Sequence, residues 1–224
     1  MIIIPLPKRH ESKPTRRAMT PRVHSFLRLL EWLQEAYPAL FGFMNWSPVG
    51  MGPFRDLVRA ELPVRPGDRV LDFGCGRGVF TDLFAPKDYF GIDIIPSFVL
   101  HSRGRHPSHP CAVMDGARLG FKEAWFDAIV VVGVLHHLDD TSAAEALREI
   151  RRVLKPGGRA LILEPVPAVS RANVIGRMLK SMDLGGYIRD YGKWTEMVGA
   201  ALPLAKRYQH RVGFNDICVL RGVR

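Results

Sequence analysis

An apolar run that ends in an acid and three alternating glycines is the feature that most constrains this sequence. The stretch VLDFGCGRGVF covers residues 70–80, with Asp72 placed before Gly74, Gly76 and Gly78. Glycine has no Cβ, so it tolerates a positive φ and lets a ligand lie against the backbone. The stretch therefore predicts a buried strand that ends in a tight, ligand-holding loop.

The spacing of this loop separates it from two common phosphate-binding loops. A dinucleotide fingerprint reads G-x-G-x-x-G, whereas this loop reads G-x-G-x-G, and the GK[ST] of a P-loop is missing. The carboxylate of Asp72 would repel a phosphate but would tolerate an ammonium or sulfonium group. The loop chemistry therefore argues against a phosphate and is compatible with a ligand that carries a positive charge.

Strand and helix patterns alternate through the middle of the chain. Apolar runs that predict strands occupy residues 69–73, 88–92, 112–114, 126–132 and 159–163. Helical patterns occupy residues 79–84, 96–103 and 142–154, and a KPGG turn precedes the last of the strands. This order predicts an α/β fold whose parallel sheet is covered on both faces and binds ligands at the carboxyl ends of its strands.

The end of the chain follows a different pattern from the middle. The stretch YGKWTEMVGAAL predicts a helix from residue 191. Two β-prone stretches follow at residues 206–212 and 216–220, with only GFN between their apolar parts. So short a connection predicts an antiparallel hairpin.

The first 64 residues are unlike the rest. Residues 1–21 are rich in Pro, Lys and Arg, which predicts a flexible basic arm. Apolar residues recur at helical spacing over residues 22–43, and a second helix is predicted at residues 53–62. We expect a helical cap over residues 22–64 and one domain over residues 65–224.

Positive charge is concentrated at the two ends of the chain, whose formal net charge is +10. Lys and Arg outnumber acids by seven to one in residues 1–30 and by fourteen to five in residues 151–224. Such ends could contact nucleic acid or anionic lipid, or form a solvated basic surface. Three widely spaced cysteines fit a reducing cytoplasm, and no apolar run reaches about 18 residues. The apolar start precedes the basic residues, the reverse of a secretory signal, so we expect a cytoplasmic protein.

Five segments resemble, in order, the motifs of class I S-adenosylmethionine-dependent methyltransferases of the small-molecule type. They read VLDFGCGRG, YFGIDI, AVMDGARLGF, FDAIVVVGVLHHLDD and ALREIRRVLKPGGRALILEP. The resemblance covers about residues 65–165 and the terminal hairpin. It implies a Rossmann-like, doubly wound sheet, mostly parallel with a C-terminal antiparallel hairpin, and S-adenosylmethionine as the cofactor.

The resemblance also assigns cofactor contacts to particular residues. Asp93 ends the second predicted strand, where an acid of a βαβ nucleotide unit accepts hydrogen bonds from ribose hydroxyls. Asp115 would accept from the adenine amino group, and the carbonyl of Gly133 would hold the methionine ammonium. The complete predicted set is Asp72, Gly74, Gly76, Gly78, Asp93, Ile94, Met114, Asp115, Gly116 and Gly133. For Asp72 the alternative is support of the loop through hydrogen bonds from behind the cofactor, and for Ile94 and Met114 it is ordinary core packing.

Two adjacent histidines follow the fourth predicted strand, at the expected position of the transferred methyl group. His136 or His137 is the candidate general base, since histidine titrates near neutral pH. The alternative is that they pack the loop or shape the acceptor pocket. Glu164 is a weaker candidate for contact with an acceptor or a metal, and no residue pattern predicts a metal site.

The methyl acceptor is the least determined part of the prediction. An insert at residues 166–191 is expected to close over it, and its basic and aromatic residues suit an acidic acceptor: Arg171, Arg177, Tyr187, Arg189 and Tyr191. We expect transfer to O, N or C of an acidic or lipid-like biosynthetic intermediate. RNA or protein methylation is disfavoured, because no N/D-P-P-aromatic signature follows the fourth strand. A non-catalytic cofactor-binding module and peripheral membrane contact through residues 22–43 stay open, and the oligomeric state is not predicted.

Overall fold

A computed structural model describes residues 51–170, 173 and 186–224. Within these residues the strands are β1 (Val70–Phe73), β2 (Tyr89–Asp93), β3 (Cys111–Val113), β4 (Phe126–Val132), β5 (Leu154–Pro165), β6 (Leu204–Val212) and β7 (Asn215–Val223). The α-helices are α1 (Gly52–Glu61), α2 (Pro96–Arg105), α3 (Asp140–Val153) and α4 (Tyr191–Ala201). The predicted arm, most of the predicted cap and part of the insert lie outside the described residues.

The strands form one sheet in the order β3-β2-β1-β4-β5-β7-β6. Strands β1 to β5 pair in parallel, and β7 pairs antiparallel with both β5 and β6. The predicted mostly parallel sheet with a terminal hairpin is therefore confirmed. The strand order reverses between β1 and β4, and a ligand crevice opens at such a switch point.

Both faces of the sheet are buried, which explains the continuous apolar runs of its central strands. Leu71 and Ile162 face one apolar cluster, which includes Trp194 of α4. Val70 and Leu161 face a second cluster, which is completed by Val58 of α1. Each fully buried side chain of this size stabilises the fold by about 1.5–3 kcal/mol.

Helix α3 shows how the sequence pattern places an element on the sheet. Its buried residues recur at helical spacing: Ala143, Ala146, Leu147, Ile150 and Val153. The carboxylate of Asp139 caps the first turn by accepting from the backbone N–H of Ser142 at 2.8 Å. The helix therefore starts directly after the turn that follows β4, and holds that turn against the sheet.

Two predicted elements differ from the observed ones. The helix predicted at residues 79–84 is a 3-10 turn at Thr81–Leu83, because Pro86 and the start of β2 leave no room for an α-helix. The KPGG turn lies within β5 as a bulge. Phe126 pairs with Leu154 and Ala128 with Arg159, so β5 advances by five residues where β4 advances by two. Hydrogen bonds with the backbone of Arg224 hold this bulge in the sheet.

No helix within the described ranges combines the length and the apolar character needed to cross a membrane.

Candidate active site

The glycine loop follows β1 at the carboxyl edge of the sheet. Gly74, Gly76 and Gly78 all have positive φ angles, of +75°, +52° and +82°. A Cβ on Gly74 would clash with the side chain of Val134, so this glycine is required by packing. A Cβ on Gly76 would meet no atom of the described residues within 4 Å. Among the described residues, the backbone beside Gly76 therefore leaves room for a ligand.

Asp93 ends β2 and holds the glycine loop in place. Its Oδ2 accepts from the backbone N–H of Gly76 at 2.9 Å, and its Oδ1 accepts from that of Ile95 at 2.8 Å. Burial raises the pKa of Asp93. Each carboxylate oxygen has two lone pairs, so both can still accept a ribose hydroxyl. Asp93 thus supports the loop, a role that the sequence reasoning missed, and keeps its capacity for a ligand.

Asp72 lies beneath the loop rather than on its surface. It is 2% exposed and accepts from the hydroxyl of Tyr89 at 2.9 Å, while that hydroxyl lies 2.9 Å from Oγ1 of Thr81. Burial raises the pKa of Asp72 to about 7. Nothing in the sequence distinguishes Tyr89 from an ordinary core tyrosine, so this buried network could not be predicted.

The raised pKa of Asp72 makes the stability of the protein depend on pH. Between about pH 4 and pH 7 the carboxyl of Asp72 keeps its proton in the folded protein, whereas the unfolded chain releases it. The free energy of unfolding therefore falls as the pH rises through this range. In the Asp72→Asn variant the side-chain amide cannot ionise, but its oxygen can still accept from Tyr89. We expect the variant to gain stability over the wild type between about pH 4 and pH 8, by up to about 4 kcal/mol.

Urea unfolding of the two proteins at about pH 5 and pH 8 measures this difference. Asp56→Asn is the matched control, because the Asp56 side chain on α1 is 75% exposed. A stability difference between Asp72→Asn and wild type that is the same at both pH values would contradict the prediction.

The segment after β3 carries the residues assigned to the adenine. Asp115 is exposed, and its Oδ1 accepts from the backbone N–H of Ala117 at 2.9 Å. A Cβ on Gly116 would clash with the ring of Phe73, so the backbone must pass close to the core here. Met114 is half-buried and packs against the core, whereas Ile94, after β2, is 39% exposed. Ile94 is therefore available to cover a planar ligand.

The histidine turn follows β4 and is organised by Glu164 at the end of β5. Gly133 has a φ of +63° and leads into a 3-10 turn over Leu135–His137. Glu164 is fully buried. It accepts from three consecutive backbone N–H groups, those of Val134 at 2.9 Å, Leu135 at 2.7 Å and His136 at 3.2 Å. β4 and β5 are parallel neighbours, so the turn and this carboxylate meet at one edge.

Glu164 also fixes the ring of His136. Its Oε2 lies 2.8 Å from Nδ1 of His136, whose side chain is 7% exposed. A neutral imidazole that donates from Nδ1 carries its lone pair on Nε2, and the adjacent carboxylate stabilises the imidazolium formed on protonation. The ring of His137 lies against that of His136, with centroids 4.0 Å apart. The contact with Glu164 makes His136 the better placed of the two predicted bases.

Glu164 has no exposed surface, and its oxygens already face four donors. It is therefore placed to support the turn rather than to contact an acceptor or a metal. In the part of the chain that the structure describes, no group of three or more His, Cys, Asp or Glu side chains could hold a metal ion.

Arg189, predicted to receive an acidic acceptor, has its donors directed elsewhere. Its buried guanidinium donates to the carbonyls of Leu135 at 3.2 Å and Leu138 at 2.7 Å, and to Asp140 at 2.8 Å. The backbone N–H of Tyr187 donates to the carbonyl of His136 at 3.0 Å. The end of the insert therefore clamps the histidine turn. Arg171 and Arg177 lie outside the described residues.

Helix α1 is tied to the other side of the glycine loop. Arg55 forms a two-pronged ion pair with Asp82, at 2.7 and 2.8 Å, and also donates to the carbonyl of Val79. These two residues come directly after the loop, so Arg55 limits its movement. The sequence gives no signal for this contact.

The site thus combines an open glycine loop, a carboxylate that ends β2 and a histidine held by a buried glutamate. A protein-family model described as a methyltransferase domain matches residues 71–162, which run from β1 into β5. Residues 71–162 therefore form part of a class I methyltransferase domain. S-adenosylmethionine is the cofactor of this class. The open space beside Gly76, the carboxylate of Asp93 and the exposed Ile94 fit that molecule.

Curated relatives of this methyltransferase domain share about a third of its residues. A demethylmenaquinone methyltransferase of Corynebacterium kroppenstedtii is 35% identical over 111 residues, which is 50% of this chain and 48% of the relative. A probable tRNA methyltransferase 9B of Mus musculus is 36% identical over 101 residues, 44% of this chain and 22% of the relative. The chain spans about half the length of the first relative and less of the second.

A solved structure supports the fold assignment of the methyltransferase domain. The N-methyltransferase NodS of Bradyrhizobium japonicum, in complex with S-adenosyl-L-homocysteine, superposes with a TM-score of 0.62. The alignment covers 79% of this chain and 88% of NodS at 22% identity. An identity this low supports the shared fold alone.

Proposed function

We propose that this chain transfers the methyl group of S-adenosylmethionine to a small-molecule acceptor, with His136 as the general base. The observation that carries the proposal is the buried contact of 2.8 Å between Nδ1 of His136 and Glu164, at the edge of the sheet that holds the glycine loop. When bound, the cofactor supplies an electrophilic methyl group on a positively charged sulfur. The remaining requirements are positioning and removal of the acceptor proton.

Each of these requirements is met by residues of this chain. The loop at Gly76, backed by Asp93, binds and orients the cofactor. His136 accepts the acceptor proton on Nε2, and Glu164 stabilises the positive charge that develops on the ring. Arg189 holds the turn that carries His136, so the base keeps its orientation. Met114, Asp115, Gly116 and Gly133 remain proposed cofactor contacts, and the buried Asp72 is proposed to support the cofactor loop from beneath.

For the acceptor, we propose a hydroxylated aromatic ring of the quinol type. The support comes from relatives named as demethylmenaquinone methyltransferases and as a ubiquinone/menaquinone biosynthesis C-methyltransferase. A phenolic hydroxyl that loses its proton makes the neighbouring ring carbon nucleophilic, so one base serves O- and C-methylation alike. Methylation of tRNA is the second candidate, favoured by the tRNA methyltransferase relatives and by the basic ends of the chain.

Replacement of His136 tests the proposed chemistry. With a methyl-labelled donor and a short-tailed hydroxynaphthoquinol, we expect His136→Ala to lower kcat by about 100-fold or more, the usual contribution of a general base. Binding of S-adenosylhomocysteine should stay within about threefold of wild type, because His136 lies outside the proposed cofactor contacts. His137→Ala is the matched control and should keep most of the activity.

The outcomes separate the competing functions. Equal activity of His136→Ala and wild type would remove His136 as the base. Labelling of tRNA but not of the quinol would favour the second candidate. Tight binding of S-adenosylhomocysteine with no labelling of quinols, other metabolites or RNA would favour a non-catalytic module.

A further inference from the structure

Exposed apolar side chains collect at the edge of the sheet that carries the candidate active site. The large hydrophobic residues exposed in the described part of the chain are Ile94, Leu100, Val113, Trp125, Val169, Tyr187 and Phe214. Five of them lie at this edge, at or just after the end of a parallel strand, against the histidine turn or at the tip of the β6–β7 hairpin: Ile94, Val113, Val169, Tyr187 and Phe214. The hairpin tip belongs to the edge because β7 begins opposite the end of β5, with Pro165 paired to Ile217.

Val169 and Phe214, which we call the tip patch, share one polar support. Oδ2 of Asp216 accepts from the backbone N–H of Val169 at 3.1 Å. Nδ2 of Asn173 donates to the carbonyl of Phe214 at 2.9 Å and lies 3.3 Å from Asp216. Arg211 fixes the same carboxylate at 2.7 Å. The backbones are therefore held, while the side chains are 65% and 40% exposed.

Strand β6, an outermost strand of the sheet, lies beside the tip patch and is basic. Strand β6 reads LAKRYQHRV, with no acid among its nine residues. Lys206, Arg207, His210 and Arg211 are all exposed. Lys206 and Arg211 pair with the acids Glu61 and Asp216, and Arg207 adds a further exposed positive charge to the strand. An apolar tip beside a basic strand matches an anionic lipid surface, where apolar groups enter the headgroup region and cations meet phosphates.

We propose that the tip patch and strand β6 dock this protein on an anionic phospholipid bilayer. Nucleic acid fits the pattern less well, because it would leave the aliphatic side chain of Val169 without a partner. Val169 follows Glu164 by five residues, so docking turns the edge of the sheet that carries His136 toward the bilayer. An acceptor with an apolar tail would then reach the site from the lipid. The docking itself needs neither cofactor nor turnover, so it stands apart from the proposed function.

Co-sedimentation of the full chain with lipid vesicles tests the proposal. We expect binding to vesicles of phosphatidylcholine mixed with phosphatidylglycerol, weaker binding to phosphatidylcholine alone, and release by salt. The double variant Val169→Ser with Phe214→Ser should bind the anionic vesicles about tenfold more weakly. Leu100→Ser is the matched control, because Leu100 is 72% exposed but lies on α2.

Arg207→Glu provides a second variant that leaves the apolar contacts intact. It reverses an exposed charge on β6 and should weaken binding to anionic vesicles but not to phosphatidylcholine. Wild-type binding of S-adenosylhomocysteine shows that each variant is folded. The proposal is overturned if anionic vesicles fail to bind the chain, or if the tip and Arg207 variants bind them as wild type does. It is also overturned if these variants lose affinity for tRNA while vesicle binding is unchanged.

Discussion

Glu164→Gln is expected to lower both the stability of the protein and its proposed turnover, although glutamine has the same shape as glutamate. The two oxygens of Glu164 face the N–H groups of Val134, Leu135 and His136 and the Nδ1 of the His136 ring. Glutamine offers one oxygen, so its amide nitrogen would face donors. Because Glu164 is fully buried, water cannot replace the lost contacts, and a loss of roughly 3–5 kcal/mol in the free energy of unfolding is expected.

The effect of Glu164→Gln on turnover should depend on His136. If Glu164 acts by orienting this ring, kcat should fall by about 100-fold, while the affinity for S-adenosylhomocysteine changes little. In a His136→Ala background the same substitution should lower kcat only slightly further, because residues that act as a unit are not additive. Glu145→Gln, an exposed change on α3, is the control for loss of a carboxylate.

Thermal unfolding and steady-state kinetics are to be measured on four proteins: the wild type, Glu164→Gln, His136→Ala and the double variant. Two separate and additive losses in kcat would assign Glu164 a role independent of His136. An unchanged melting temperature would show that the turn does not depend on the buried carboxylate.

Asp93→Ala is expected to weaken cofactor binding by about 100-fold or more. Two hydroxyls of a ribose bound to a carboxylate contribute roughly 1.5–3 kcal/mol each. The substitution also leaves the N–H groups of Gly76 and Ile95 without their acceptor, so the loop loses its support. Titration calorimetry with S-adenosylhomocysteine measures the loss directly.

Asp88→Ala is the matched control for this measurement. Asp88 stands at the opposite end of β2, and its carboxylate also accepts from a backbone N–H group, that of Gly67 at 3.2 Å. Its loss should leave cofactor affinity within about threefold of wild type. If Asp93→Asn and Asp93→Ala both bound S-adenosylhomocysteine as tightly as wild type, the proposed ribose contact would be wrong. The role of Asp93 would then be limited to support of the loop.

The parts of the fold that follow from local pattern could be predicted from the sequence. The run FDAIVVV is apolar almost throughout because β4 is buried on both faces, and its observed ends match the predicted ones. The glycine loop was predictable because alternating glycines after such a run have few other uses. Strand β5 shows the limit, because the bulge after Leu154 is held by Arg224, far away in the sequence.

The supporting contacts of the site depend on distant parts of the chain. Arg55 meets Asp82 across 27 residues, and Arg189 reaches Asp140 across 49. Glu164 was visible as an acid at a strand end, but its role depends on how the turn after the neighbouring strand directs three N–H groups. Such partnerships depend on loop conformations, which neither periodicity nor spacing specifies.

The segment between β5 and α4 is attached to the sheet near both of its ends. The backbone N–H of Val166 donates to the carbonyl of Asp216 at 3.0 Å, and the indole of Trp194 donates to that of Pro165 at 3.1 Å. Arg189, which lies just before α4, adds its contacts with the histidine turn. These contacts are separate from those of Asp93 and Arg55, which hold the glycine loop. Under the proposed function, a lineage built on this scaffold is thereby free to change the acceptor that it modifies while keeping the donor that it uses.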